Sequence, residues 1–392
     1  MSPFNALFRS RDSHDGHKVA FVELFFDLVF VFAITQLAHT LLHDFSMMGL
    51  LKTTILGLAI WWVWIYTTWF TNWMDPQTTP VRIVLFIQMF AGLLLAIAIP
   101  SAFGETGLLF AGAYVFMQLS RCLFMCVSLV KTKGPLLLGF IRITVWLTGA
   151  SIFWVLGAFA DLELRFLYWG LALCIETLAA MLGFWVPLIG KSESSDWEIS
   201  GAHMAERCGL FIIISLGESL LVTGSTFSDL NWTLVSVSAF IIAFLGTVAM
   251  WWIYFSVSAD CASEKIAMSE NPGAIGRMAY SYLHIPIVAG IILVVVTDEL
   301  ILKHSFGHGG HTEPITLIAL IGGPILFLLG NALFKKSVFG YYPSSHLFGV
   351  LFLVLLIPSY SVLVPIYLAG ISMVILFMVG ILEYHSVNKT RS

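Results

Sequence analysis

Carboxylates set inside apolar runs are the first residues here whose types could do chemistry. Glu23 and Asp27 stand four apart in Phe21-Val22-Glu23-Leu24-Phe25-Phe26-Asp27-Leu28, a spacing that puts both on one face of a helix. That face continues through Ile34, with Thr35 and Gln36 beside it. A second acidic centre lies in Ser215-Leu216-Gly217-Glu218-Ser219. There Gly217 permits a close backbone approach, and Ser215 and Ser219 can hydrogen-bond across helices. Glu176 falls midway along another apolar stretch, in weaker polar surroundings, and His284 precedes Pro286 in a third. Ionisable groups are expensive in lipid, so each of these marks a candidate path for an ion, proton or solute. Arg82 is expected near the same membrane surface as Glu23 and Asp27, and Arg207, Arg277 and Glu206 complete the candidate counter-charges. Each feature also has a structural reading. Glu23 and Asp27 could form an ion pair that locks helices, Glu218 a neutral hydrogen bond, and His284 a satisfied core residue. Arg121 is read as snorkelling toward the cytoplasm.

Other chemistry is poorly supported. The tryptophan-rich stretch holds Trp61, Trp62, Trp64, Trp69 and Trp73. Trp69 and Trp73 suit an interfacial belt, and Trp61 to Trp64 a bundle interior. His304, His308 and His311 share a glycine-rich loop whose spacing matches no metal-binding frame, so no metal site is expected. The cysteines Cys122, Cys126, Cys174, Cys208 and Cys261 form no CxxC, and their odd number argues against a full disulfide framework. No P-loop, HExxH or Ser/His/Asp arrangement is present, and the spans are read as free of lysine, which would exclude a retinal Schiff base. Neither a cofactor nor an enzymatic activity is expected.

The elements that must position these residues follow from composition. Of 392 residues, 59% are hydrophobic and 11% charged, and mean hydropathy is +0.92. Soluble domains carry nearer a quarter charged residues, so the membrane is the solvent. A net charge of -4 gives no reason to expect nucleic acid. Runs of about 20 apolar residues suffice to span a bilayer. They fall at 19–43, 49–73, 82–102, 108–130, 141–160, 164–188, 205–227, 233–257, 278–300, 315–334, 344–358 and 360–384. The last two are separated only by Pro358-Ser359-Tyr360. The first run is too long for a signal-peptide core and lacks a small-residue cleavage site, so it is read as a retained span.

With the N-terminus inside, only Lys52, Arg165 and Lys303 of the 19 basic residues fall outside. That bias supports cytoplasmic termini in the inner, plasma membrane, and it supports the count of twelve spans. The halves also resemble each other. Glu23 pairs with Glu206, Trp64-Ile65-Tyr66 with Trp252-Ile253-Tyr254, Arg82 with Arg277, and Ala91-Gly92 with Ala289-Gly290. The expected fold is an all-α membrane protein of about twelve helices, arranged as two tandem parallel six-helix repeats. Its parts are a cytoplasmic segment 1–18, a first repeat 19–190, a cytoplasmic linker 191–204, a second repeat 205–384 and a tail 385–392.

The first span, from Glu23 to Leu37 with Asp27, Thr35 and Gln36, resembles the signature of the bacterial low temperature requirement protein A family. Two later stretches are similar to the same family: Glu206-Arg207 leading to Leu216-Gly217-Glu218-Ser219, and Tyr282-Leu283-His284-Ile285-Pro286-Ile287-Val288-Ala289-Gly290. The resemblance covers essentially the whole chain. It implies a bacterial integral membrane protein and leaves the chemistry open, because the family name records a growth phenotype. Phe26-Asp27 through Ile34-Thr35 also resembles the Phe-Ser-Asp motif of the endolysosomal potassium channel family, which is built of six-helix units. By that analogy a homodimer supplies four units, the first and seventh helices line a pore, and Ile34 constricts it. The motif serine is replaced here by Phe25 or Phe26, and the seventh helix lacks the motif, which favours an asymmetric pathway.

The expected function is a transporter or channel for a small ion or solute, open to proton coupling, with membrane lipids as its surroundings. The alternatives are a non-transporting scaffold or sensor for cold adaptation and a lipid-acting membrane enzyme.

Overall fold

The computed structural model describes residues 7–9, 18–131, 134–192, 199–255, 262, 264–266, 268–269, 272–307 and 311–391. Arg11, Lys133, Cys261 and His308 lie outside the described residues, as does most of the 1–18 segment. Among the described residues, twelve helices are long and apolar enough to cross a membrane. Their α-helical parts are α1 (Phe21–His43), α2 (Met47–Trp73), α3 (Thr79–Ala98), α4 (Gly107–Leu129), α5 (Pro135–Phe159) and α6 (Leu162–Met181), then α7 (Gly201–Ser228), α8 (Leu234–Phe255), α9 (His284–Lys303), α10 (Pro314–Phe339), α11 (Ser344–Leu356) and α12 (Pro365–Arg391); the ninth span begins earlier, at Gly273, and the eleventh reaches its length by continuing through a 3-10 turn to Ser361. The α3 surface shows why these form in lipid. Phe86, Phe90, Leu93 and Ile97 are exposed at helical spacing, while Leu85, Gly92, Leu95 and Ala96 are buried on the other side. An exposed apolar stripe of this kind suits a hydrocarbon environment and would be a liability in water.

The chain divides into two compact units. The first comprises Met1–Thr40, Met48–Arg207 and Ser269–Gly276; the second comprises Leu41–Met47, Cys208–Met268 and Arg277–Ser392. In the first, the N-terminal segment folds back on the end of α2. Phe8 bridges Met74, and the Arg9 N–H donates to the Trp73 carbonyl at 2.9 Å.

Several expected boundaries move, each for a local reason. The sixth span ends at Met181, not near 188. Gly183 has φ +65°, and the Phe184 N–H reaches back to the Ala179 carbonyl at 2.7 Å, the bond pattern of a glycine C-cap. The seventh helix starts at Gly201, inside the segment read as linker, so His203 is helical. The tenth helix runs on to Phe339 and stops at Gly340, φ +83°. It therefore contains Lys335, which is buried, and α2 contains Lys52; the expectation of lysine-free spans is corrected, and the exclusion drawn from it falls. Pro358 stands in a 3-10 turn, Ile357–Ser361, that separates the last two helices as the sequence suggests. The tail from 385 continues α12 as helix to Arg391. Trp61, Trp62 and Trp64 are buried as expected, but so are Trp69 and Trp73, and Trp73 meets Phe140 edge-on. Within the first unit these two pack inward and do not form an outward belt.

Candidate functional site

Three helices bring periodic polar faces together in the first unit. The i, i+4 spacing that places Glu23 beside Asp27 on α1 is repeated by His203 and Arg207 on α7, and by Trp64, Thr68 and Asn72 on α2. The Glu23 carboxylate accepts from Arg9 Nη2 at 2.6 Å and from the Ala20 N–H at 2.8 Å. Its other oxygen lies 2.8 Å from His203 Nε2. The Asn72 amide donates to the Ser200 carbonyl at 3.0 Å and faces His203 Nδ1 at 3.2 Å. With Nδ1 accepting from Asn72, Nε2 carries the proton given to Glu23. One turn on, Asp27 Oδ1 accepts from Arg207 Nη2 at 2.8 Å and from Trp64 Nε1 at 2.9 Å. The Arg207 guanidinium lies 5.6 Å from the Trp64 ring centroid, a cation–π geometry. Glu23, Asp27, His203 and Arg207 are all buried.

The expected partner for these carboxylates is corrected. Arg82 is exposed and donates to the Gln77 carbonyl at 2.9 Å, whereas Arg9, His203 and Arg207 supply the positive side. Arg277 is half-buried in a π-helical segment, Arg277–Tyr282, and pairs with no carboxylate among the described residues. Glu206 is exposed and accepts the Val19 N–H at 3.1 Å. Ile34 is buried, while Thr35, whose hydroxyl donates to the Val31 carbonyl, and Gln36 are half-buried.

Glu176 has richer surroundings than its sequence context suggests. Its carboxylate accepts from the Tyr114 hydroxyl, from Trp154 Nε1 at 3.0 Å and from Gln118 Nε2 at 3.2 Å. Tyr114, Gln118 and Arg121 share a face of α4. Arg121 donates to Gln118 Oε1 and to Thr67 Oγ1, the latter at 2.9 Å. Arg121 thus stays 2% exposed inside the bundle, and the snorkelling expectation is corrected. Three neutral donors, with a guanidinium nearby, give this carboxylate hydrogen-bond partners away from lipid.

The second unit holds further buried groups. Ser215 donates back to the Phe211 carbonyl at 2.9 Å, and Ser219 lies 2.8 Å from Thr247 Oγ1. Glu218 is buried on the same stretch of α7. His284 lies 2.8 Å from the Ala279 carbonyl through Nδ1 and 2.9 Å from the Tyr254 hydroxyl through Nε2. With both ring nitrogens engaged it is a satisfied core histidine.

Sequence reasoning missed two centres here. Asp298 follows Thr297 within the ninth predicted span, where an acidic residue was itself a legible signal. Lys335, His346 and Glu383, on α10, α11 and α12, form a buried group in which Lys335 Nζ donates to Glu383 Oε1 and lies 3.3 Å from His346 Nε2. Lys335→Met should strand Glu383 and lower stability by about 3–5 kcal/mol, while Lys335→Met with Glu383→Leu should recover most of it. A thermal unfolding cycle in detergent checks this; equal losses in the single and double variants would count against it.

These features define a polytopic α-helical membrane protein whose helices carry buried networks of ionisable side chains. Residues 18–381 match the family described as bacterial low temperature requirement A protein (LtrA), and the chain belongs to that family. It is similar to an uncharacterized protein of Rhizobium meliloti (strain 1021), 39% identical over 387 residues, covering 97% of this chain and 92% of that one. No solved structure matches it.

Proposed function

We propose that this protein is a transporter or channel for a small ion or solute, open to proton coupling, in the bacterial inner membrane with both termini cytoplasmic. One observation carries the reading. In the α1–α2–α7 network, Asp27 Oδ2 and the Nε and Nη1 atoms of Arg207 are buried with no hydrogen-bond partner among the described residues, Nη1 coming no nearer than 4.0 Å to Glu23 Oε1. Buried polar atoms are satisfied almost everywhere in native proteins, so charged groups left short call for water or a passing solute. The network thus supports a polar route beside helices that are otherwise apolar. No catalytic step enters this reading. The two halves are taken as parallel repeats, and a homodimer would join four such units.

The test is flux into liposomes carrying the purified protein under potassium, sodium and pH gradients. Wild type should conduct or exchange at least one of them. Glu218→Gln should reduce that flux by roughly tenfold or more, with the protein still folded, because a proton-exchanging or ion-facing carboxylate has no substitute in the amide. Unchanged flux in Glu218→Gln makes Glu218 a structural hydrogen-bonding residue.

A second reading, a scaffold or sensor acting in the cold, is favoured by Glu23. Both of its oxygens are engaged, by Arg9, the Ala20 N–H and His203. No flux from wild type under any of the three gradients would drop the ion-channel reading and move the assignment to an organic-solute carrier or to this scaffold.

A further inference from the structure

The second unit holds a carboxylate without a cation. Asp298 on α9 is buried, and no basic side chain pairs with it among the described residues. It accepts one hydrogen bond, from Ser219 Oγ at 3.1 Å. The neighbouring Thr247 hydroxyl lies 3.1 Å from the Ala243 carbonyl and 2.8 Å from Ser219, so it adds nothing to Asp298 directly. An ionised carboxylate offers about four acceptor sites, so this one is far from satisfied as an anion.

Beside it lies a cavity of about 30 Å³, with Thr297, Asp298, Leu320, Pro324 and Ser372 among its otherwise mostly apolar lining. That volume suits one water-sized occupant. Two of these residues bring oxygen atoms in need of partners. Ser372 is 4% exposed and its hydroxyl has no hydrogen-bond partner among the described residues. Pro324 stands inside α10 and has no N–H to give the Leu320 carbonyl four residues earlier. Residues carrying a carboxylate, an unpartnered hydroxyl and a carbonyl that lacks its usual helical N–H donor therefore line one small space.

We propose that this cavity binds a single small monovalent cation of the sodium class. Asp298 supplies the charge, and Ser372 and the Leu320 carbonyl supply neutral oxygens. Oxygen donors beside a proline that removes one bond from the helix ladder suit a hard cation. One carboxylate balances one positive charge. A divalent ion would want six or more oxygens and more negative charge than this pocket holds. A proton on Asp298 is the competing occupant. Few other ionisable groups face the site. α8 carries no acidic or basic residue, α7 brings Glu218 next to Ser219, α10 brings nothing charged before Lys335, and α12 has Tyr367 and then Glu383. Glu299, the next residue on α9, is held by Lys303 at 2.6 Å. The site names an ion for the transport reading and rests on it only for its purpose, because binding is measurable without flux.

The experiment is thermal unfolding of the full chain in detergent, in sodium chloride against choline chloride at matched ionic strength, at alkaline and acidic pH. Sodium should stabilise wild type at alkaline pH and less at acidic pH. Asp298→Asn should abolish the sodium-specific shift. Ser372→Ala, which leaves the charge in place, should weaken the apparent sodium affinity roughly tenfold, the scale of a lost contact to a charged group; it carries the test if Asp298→Asn fails to fold. Equal stability in both salts, or a sodium effect kept in full by both variants, overturns the proposal. A pH effect that Asp298→Asn removes, with no sodium effect, makes this a proton site and overturns the cation assignment. Sodium flux into liposomes separates the two claims. Binding without sodium flux keeps the site and removes sodium as the transported ion, whereas sodium flux without binding keeps the transport reading and overturns the site.

Discussion

Arg207→Met should leave little folded protein, with a loss of stability of about 3–5 kcal/mol, the scale for stranding one member of a buried ion pair. The argument rests on what Asp27 keeps. Without Arg207 its carboxylate retains one donor, Trp64 Nε1, and sits 1% exposed among apolar helices. The methionine would also vacate the face of Trp64 against which the guanidinium lies. Arg207→Lys should fall between, since a lysine brings the charge but not the planar fork. The paired change Arg207→Met with Asp27→Leu should regain most of the loss, because apolar replacement of a buried pair is often neutral or better. Thermal unfolding and monodispersity in mild detergent read all three. A single variant as stable as wild type would mean that the pair is already solvated and contributes little.

Gly290→Ala should also be destabilising, by about 1–3 kcal/mol or more. A Cβ at Gly290 would stand 2.6 Å from the Gly323 carbonyl oxygen and 2.6 Å from the Phe327 backbone nitrogen. Both are main-chain atoms of α10, so no side-chain rotation relieves the overlap and the α9–α10 pair must separate. Gly330, two turns beyond Gly323 on the same face of α10, repeats the arrangement, with the Ile287 nitrogen 2.9 Å from its would-be Cβ. Helices that associate in lipid rely on this kind of close approach by small residues. By contrast, Gly217→Ala should be tolerated, since nothing lies within 4 Å of its would-be Cβ. The contrast in melting temperature between the two alanines is the measurement; similar values would sink the packing argument.

Much of the fold was legible because apolar length is a strong signal. Every expected span corresponds to a helix, and most ends shift by only a few residues. The larger shifts occur where one residue decides the matter. Gly183 turns the chain early after α6, and Gly340 lets α10 run on past Lys335. Site residues were legible where the residue type alone is costly in lipid. Glu23, Asp27, Glu176 and Glu218 are all buried. Their partners were not legible, because pairing depends on which helices meet. Arg82 is close to Glu23 and Asp27 in the chain, yet Arg207 is the residue that reaches Asp27. His203 was hidden by a helix start placed too late. Asp298 needed only a closer count of charges within the spans, whereas Lys335 was hidden by a span end placed one residue too early.

The separation along the chain between Asp27 and Arg207, 180 residues, has a consequence for synthesis. Translation at about 5–20 residues per second leaves roughly 10–40 s between the emergence of the acid and that of its base. During that interval α1 is already long and apolar enough to enter the membrane, carrying Glu23 and Asp27. Arg9 emerges before Glu23 and can answer it at once, but Asp27 has no such early partner. The first helix must therefore wait at the lipid boundary, or beside the insertion machinery, until the seventh arrives. The protein's yield should accordingly respond to how fast the ribosome covers residues 28 to 207.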